Sequence, residues 1–232
     1  RDRRGKEPKQ PKSNHKGSLG MFLKFLKQYP QHNAVPNVLM QSSLIYMTIG
    51  KDKDAFKLWS KLVKEYPHHT LAPQAWLRIG EYYFTERQHR EAIEAYLKVT
   101  GFTSLQGKEA AFALYHLAES YNNIGEYEKS AATFFEYITG ADKGKYPADL
   151  RAESLVFMAG AFADLDDGIF TAEKFMNDKN VAFKDTLYFE IGMKNKSRDR
   201  LDEALKSFKR LLEISPNYIN APKAHISMIS IY

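Results

Sequence analysis

The stretch Tyr66-Pro67-His68-His69-Thr70-Leu71-Ala72-Pro73-Gln74-Ala75-Trp76 decides the fold, because it returns near the other end of the chain. There it reads Ser215-Pro216-Asn217-Tyr218-Ile219-Asn220-Ala221-Pro222-Lys223-Ala224-His225. Both copies set a proline, four residues, then Ala-Pro-x-Ala. Tyr29-Pro30, followed by Val35-Pro36-Asn37-Val38-Leu39, carries the same punctuation earlier. A proline stops the helix before it, since it cannot donate the backbone hydrogen bond, and suits the first turn of the helix after it. Between these marks lie pairs of helical patterns joined by short turns. Gln88 to Tyr96 and Arg200 to Phe208 are two versions of one second-helix opening. A helical hairpin recurring at a near-constant period predicts an array of stacked repeats.

The residues at the crossings carry a resemblance. Counting from Pro73 places Trp76, Gly80, Tyr83, Ala92 and Tyr96 at positions 4, 8, 11, 20 and 24 of the repeat, and counting from Asp185 places Tyr188, Gly192, Ala204, Phe208 and Pro216 at 4, 8, 20, 24 and 32, with Asn195 departing at 11. Starts at Pro36, Ala111 and Ala152 follow the same scheme. The Ala152 copy is the weakest, with Thr171 and Asp178 in place of a small and an apolar residue. This pattern resembles the tetratricopeptide repeat, a helical hairpin of about 34 residues. The resemblance implies an all-α fold, a right-handed α-solenoid of stacked antiparallel hairpins. Its expected organisation is a basic linker over 1–17 and an array over 18–232. That array comprises a second helix over 18–30, repeats from near 36, 73, 111, 152 and 185, and a first helix from 222. Small residues at 8 and 20 let paired helices approach, and the aromatic at 24 fills the joint. Starts 111 and 152 are 41 residues apart, through a polar insert from Thr139 to Lys145.

Composition narrows the function without naming it. Of 232 residues 44% are hydrophobic, enough for a sizeable core, and no cysteine is present, which removes disulfides and thiol chemistry. The formal net charge is +6. Residues 1–17 hold seven Lys/Arg (Arg1, Arg3, Arg4, Lys6, Lys9, Lys12 and Lys16) against Asp2 and Glu7, so the rest, with 27 basic and 26 acidic residues, is near neutral. The tail reads as a solubilising tether. No phosphate-cradling glycine loop, nucleophile elbow or zinc-binding helix motif occurs, so no enzymatic activity, cofactor or metal site is expected. Asp166-Asp167-Gly168 reads as the turn between the helices of the fourth hairpin, and His32, His68 and His69 as solvated connector residues.

Two functions compete. One is a protein-interaction scaffold holding a partner helix or peptide in a concave groove. The other is a nucleic-acid-binding helical array using its basic tail, which the near-neutral body disfavours. In the family's geometry positions 5, 9 and 12 of each first helix face the groove. Here they are Met40, Leu44 and Met47; Leu77, Glu81 and Phe84; Tyr115, Glu119 and Asn122; Val156, Gly160 and Ala163; and Phe189, Met193 and Lys196. The stripe is unusually apolar, so Phe84 and Tyr115 are expected to anchor a partner segment, with Glu81 and Glu119 receiving a basic residue. No basic fork for a terminal carboxylate stands at positions 5 and 9. The connector is similar to tetratricopeptide proteins of Gram-negative envelopes: the outer-membrane β-barrel assembly lipoprotein, the Tol-Pal-associated periplasmic factor and gliding-motility proteins. A periplasmic or envelope-associated scaffold is therefore expected, with a cytoplasmic adaptor as the alternative. Ile226, Ile229 and Ile231 near the end are expected to present an apolar face to further repeats or to a second copy.

Overall fold

A computed structural model describes residues 15–102, 107–177 and 179–232. The basic residues read as a tether up to Lys12, and the departure at Asp178, lie outside the described residues. Among the described residues there are twelve helices and no strand. They are α1 (His15–Gln28), α2 (Val35–Thr48), α3 (Asp52–Glu65), α4 (Ala72–Thr85), α5 (His89–Thr100) and α6 (Lys108–Asn123), followed by α7 (Tyr127–Asp142), α8 (Arg151–Ala163), α9 (Gly168–Met176), α10 (Lys184–Ser197), α11 (Leu201–Ile214) and α12 (Ala221–Ile229). Helix α1 begins at His15, which corrects the expected linker end at 17. Adding residues to an existing helix needs no new nucleus, so the amphipathic stretch around buried Leu19 extends one turn backwards. The chain divides into two compact units within α4, between Ile79 and Gly80.

The repeated connector has one backbone design. His32 N donates to Tyr29 O (3.1 Å) and Val35 N to His32 O (2.9 Å). His69 and Ala72 repeat the pair at 3.1 and 2.8 Å, as do Tyr218 and Ala221. The histidines are not merely solvated. Nδ1 of His32 accepts from Ala34 N and Nδ1 of His69 from Leu71 N, both at 3.1 Å, so each ring closes its own turn.

The turns within hairpins share a second design. Gly50 N donates to Met47 O at 2.9 Å and Lys51 N to Tyr46 O at 2.8 Å, the paired bonds of a Schellman ending with the left-handed residue at Gly50 (φ 70°). Arg87 (φ 59°) and Asp199 (φ 59°) occupy the same place after α4 and α10. A side chain bearing a Cβ at this left-handed position costs about 1 kcal/mol, less for Asp than for Arg. Arg87→Gly should therefore raise stability by about 1 kcal/mol and Asp199→Gly by less, read by chemical denaturation. An Arg87→Gly protein no more stable than wild type would refute it.

In the first unit α1 packs on α2 and α2 on α3, around Val35, Leu39, Trp59 and Leu62. In the second, a single core runs from Ala110 to Ala224 and includes Phe134, Phe162, Tyr188 and Phe208. Two helix crossings of this unit are set by glycine: a Cβ on Gly80 would lie 2.5 Å from the Tyr96 ring, and one on Gly192 2.5 Å from the Phe208 ring. The expected polar insert is not a loop from its first residue. Thr139 to Asp142 extend α7, and Tyr146 then returns, buried, to stack 6.1 Å from Tyr137, whose hydroxyl donates to Pro147 O at 2.7 Å.

Candidate peptide-binding face

The position-5 side chains are mostly not available to a partner. Met40 (4% exposed), Leu77 (5%), Tyr115 (7%) and Phe189 (3%) are buried, which corrects the expectation that they line an open groove and that Tyr115 anchors a ligand. Side chains on a helix lean over the turn before their own Cα, and a large one at position 5 is carried into the joint with neighbouring helices. Tyr115 meets Phe134 at 5.9 Å and Phe157 at 6.2 Å, and Phe189 meets Phe208 at 6.2 Å and Tyr218 at 6.1 Å. Gly160 and Ala163 are buried as well.

In the other repeats positions 9 and 12 stay open. In the first unit Leu44 and Met47 are exposed, at 37% and 36%. In the second, Glu81, Phe84, Glu119, Asn122, Met193 and Lys196 are half-buried. Val156, at position 5, is also half-buried because it borders a cavity of about 370 Å³ that Leu155, Phe183 and Glu190 help to line. Lys196 is turned to α12, where its Nζ bonds Ser230 Oγ at 2.6 Å. At that end Ile226 and Ile229 are exposed and Ile231 half-buried.

Two residues that sequence reading passed over organise the face. His116 lies on α6 within 4.2 Å of Phe112, 4.9 Å of Phe84 and 5.3 Å of Tyr115, ring to ring, and stacks 6.0 Å from Tyr96. Phe157 of α8, 36% exposed, stacks on Phe134 at 5.9 Å. Phe84, His116, Tyr115 and Phe157 thus form one string of touching rings across α4, α6 and α8. Phe112 and Tyr115 share helix α6 with His116, and of these only the Phe112–His116 pair has the four-residue spacing that puts side chains on one face; Phe84 and Tyr96 reach His116, and Phe157 reaches Tyr115, across helices.

Carboxylates accompany the rings. Oε2 of Glu119 stands 2.7 Å from His116 Nδ1, an ion-pair distance without hydrogen-bond geometry. Tyr96 is wholly buried and its hydroxyl has no hydrogen-bond partner. Burial, then the charges of Glu81 and Glu119, hold its ionisation far above the ordinary phenol range. Burial and the carboxylates Glu119 and Glu153 do the same to Tyr115. Among the described residues no three His, Asp or Glu side chains converge as metal ligands, and no helix is long and apolar enough to cross a membrane.

Two family models, each described as a tetratricopeptide repeat, match residues 37–69 and 112–138, and residues 73–103 and 186–218. Together they take in more than half of the chain. Among solved structures, YrrB, a TPR protein with an unusual peptide-binding site, is 12% identical and aligns with a TM-score of 0.51 over 89% of this chain and 98% of its own. MamA is 21% identical (TM-score 0.47, 86% and 87% covered). The C-terminal part of a TPR repeat-containing protein from Cytophaga hutchinsonii is 16% identical (TM-score 0.48, 91% and 94% covered). At such identities YrrB bears on the fold alone, and the other two add no argument. No curated protein sequence matches the chain. Four matched hairpins, small residues under aromatic ones at the crossings, and an all-helical body make this chain a member of the tetratricopeptide-repeat family.

Proposed function

We propose that the chain is a non-enzymatic scaffold whose α4–α6–α8 face docks a helical or extended segment of a partner protein. The supporting observation is the string of rings from Phe84 to Phe157, accessible at both ends and bordered by Glu119 and Val156. Aromatic anchors on a rigid helical face are the usual centre of such contacts. Phe84 replaces the pair of anchors expected from sequence, since Tyr115 is packed in the core. Truncating one anchor removes about 2 kcal/mol, so Phe84→Ala should weaken partner binding roughly thirtyfold. Photocrosslinkers at Val156 and Phe157 should capture the partner, and the same groups at Lys98 and Lys209 should not. Equal capture from all four sites, or full affinity in a correctly folded Phe84→Ala protein, would move the site elsewhere.

The setting we propose is a multiprotein complex of a Gram-negative envelope or motility machine. Its support is the Tyr-Pro to Ala-Pro connector, one turn design used three times, which resembles envelope members of the family. Fractionation of cells carrying the full-length gene product decides between this and a cytoplasmic adaptor. Self-association is proposed through the exposed Ile226 and Ile229, and sedimentation equilibrium of Ile226→Asp against wild type reads it out.

A further inference from the structure

We propose that the first unit lies on an anionic phospholipid bilayer, with the lysines of α1 and α3 on the headgroups and Met21 and Leu23 seated among them. This surface uses none of the side chains of the α4–α6–α8 face, so either reading fails or stands without the other.

Charge is divided between the two units. Residues 15–79 hold nine basic residues against three acidic ones, whereas residues 80–232 hold 19 against 23, and the near-neutral sum conceals both. The stretch 1–14 adds six basic and two acidic residues to the same unit. Helix α1 carries Lys16, Lys24 and Lys27 and no acid. On α3, Lys53, Lys57, Lys61 and Lys64 follow at i, i+4, i+8 and i+11, one stripe about 16 Å long. Lys57 reaches Asp54 at 3.0 Å and Lys61 reaches Glu65 at 3.9 Å, exposed pairs that hold their lysines only weakly. Lys16, Lys24, Lys27, Lys53 and Lys64 have no ion-pair partner among the described residues. The second helices of the other unit are mixed. There α7 sets Lys129 against Glu128, Glu136 and Asp142, and α11 sets three basic residues against three acidic ones. Solubility alone is served by such mixing. Helices α1 and α3 depart from it together. Both pack on α2, and as successive second helices they belong to one layer of the array.

The apolar side chains choose among anions. Met21, 69% exposed, and exposed Leu23 stand to either side of the α1 lysines, and Tyr29 is exposed just beyond the helix. A bilayer takes aliphatic groups below its headgroups and an amphipathic tyrosine at their level. Nucleic acid would attract the lysines equally but gives aliphatic side chains no such place. An acidic protein is gripped better by arginine, whose planar fork matches a fixed carboxylate, and no arginine occurs between residues 5 and 77. Lysine, a point charge on a flexible stem, suits a fluid plane of headgroups.

The test uses the full chain and vesicles of phosphatidylcholine alone or of equal parts phosphatidylcholine and phosphatidylglycerol, read by co-sedimentation. The anionic vesicles should bind at least about tenfold tighter than the neutral ones, and high salt should remove most of that gain. A lysine near such a surface contributes about fivefold, so Lys24→Gln with Lys27→Gln, and separately Lys57→Gln with Lys64→Gln, should each weaken binding by about tenfold or more. Lys98→Gln with Lys209→Gln, exposed lysines of the other unit, should leave binding within about twofold of wild type. Because the chain has no cysteine, a nitrobenzoxadiazole dye on Met21→Cys reports insertion at one chosen place. Its emission should brighten and shift to the blue on anionic vesicles, while the same dye on Lys98→Cys should not change. Equal binding of neutral and anionic vesicles would overturn the inference. Unaltered binding by both lysine pairs, with circular dichroism showing them folded, would do the same by assigning the attraction to residues 1–14. A dye on Met21→Cys that emits as in buffer, or single-stranded RNA or poly-glutamate bound more tightly than anionic vesicles at equal salt, would also sink it.

Discussion

Gly168→Ala should be among the most damaging single-methyl additions to this chain. A Cβ there would stand 1.9 Å from the carbonyl oxygen of Phe162 and 2.8 Å from its carbon, atoms that belong to the backbone at the end of α8. Overpacking costs 1–3 kcal/mol when side chains can move aside. Here relief requires shifting a turn that Phe162, 1% exposed, ties into the core and that the Leu165 N to Phe162 O bond closes at 3.1 Å. The expected loss is therefore about 3 kcal/mol, and a melting temperature lower by roughly 10 °C for a domain of this size. Gly160→Ala is the control. It lies on the same α8, its added Cβ meets no heavy atom within 4 Å, and an alanine in a helix gains up to about 1 kcal/mol over glycine. Melting followed by circular dichroism should move the two variants in opposite directions. A Gly168→Ala protein melting within about 2 °C of wild type would show that the turn opens freely.

That turn was readable beforehand as Asp166-Asp167-Gly168, and the reason extends to most of the fold. Proline placement, glycine at left-handed positions and small residues at crossings act over a few residues or within one hairpin, so their signal survives in a linear sequence. The candidate face was less legible because its exposure depends on what the next helix brings. Met47 and Tyr115 are both large and apolar at groove positions, yet one is 36% exposed and the other 7%. The difference is the aromatic pair Phe134 and Phe157 against Tyr115, supplied by α7 and α8. His116 was invisible as a centre for the same reason: two of its four aromatic neighbours, Phe84 of α4 and Tyr96 of α5, reach it only once those helices pack beside α6. The connector histidines show a different gap. Which ring nitrogen accepts a backbone bond is a matter of local geometry that residue identity alone does not disclose.

Phe208→Ala should cost about 3–5 kcal/mol, because it removes a wholly buried ring from the joint between α10 and α11. Two of the neighbours are Gly192, whose missing side chain the ring occupies, and Phe189 at 6.2 Å. Neither can fill it by changing rotamer: one has no side chain, and the other is itself 3% exposed and held against Tyr218. The pairing makes a sharper claim available. In the wild-type background Gly192→Ala should destabilise, since its Cβ would sit 2.5 Å from the Phe208 ring. In the Phe208→Ala background the same substitution should stabilise, by up to about 1 kcal/mol, because the clash is gone, helix propensity improves and part of the cavity is filled. A double-mutant cycle by urea denaturation measures the coupling directly. Additive effects would mean that size at the crossing is not what fixes how closely α10 and α11 approach. A reversal of sign would establish that glycine and ring are one packing unit, and the same exchange at Gly80 and Tyr96 would then report how firmly the phenol is held beneath the docking face.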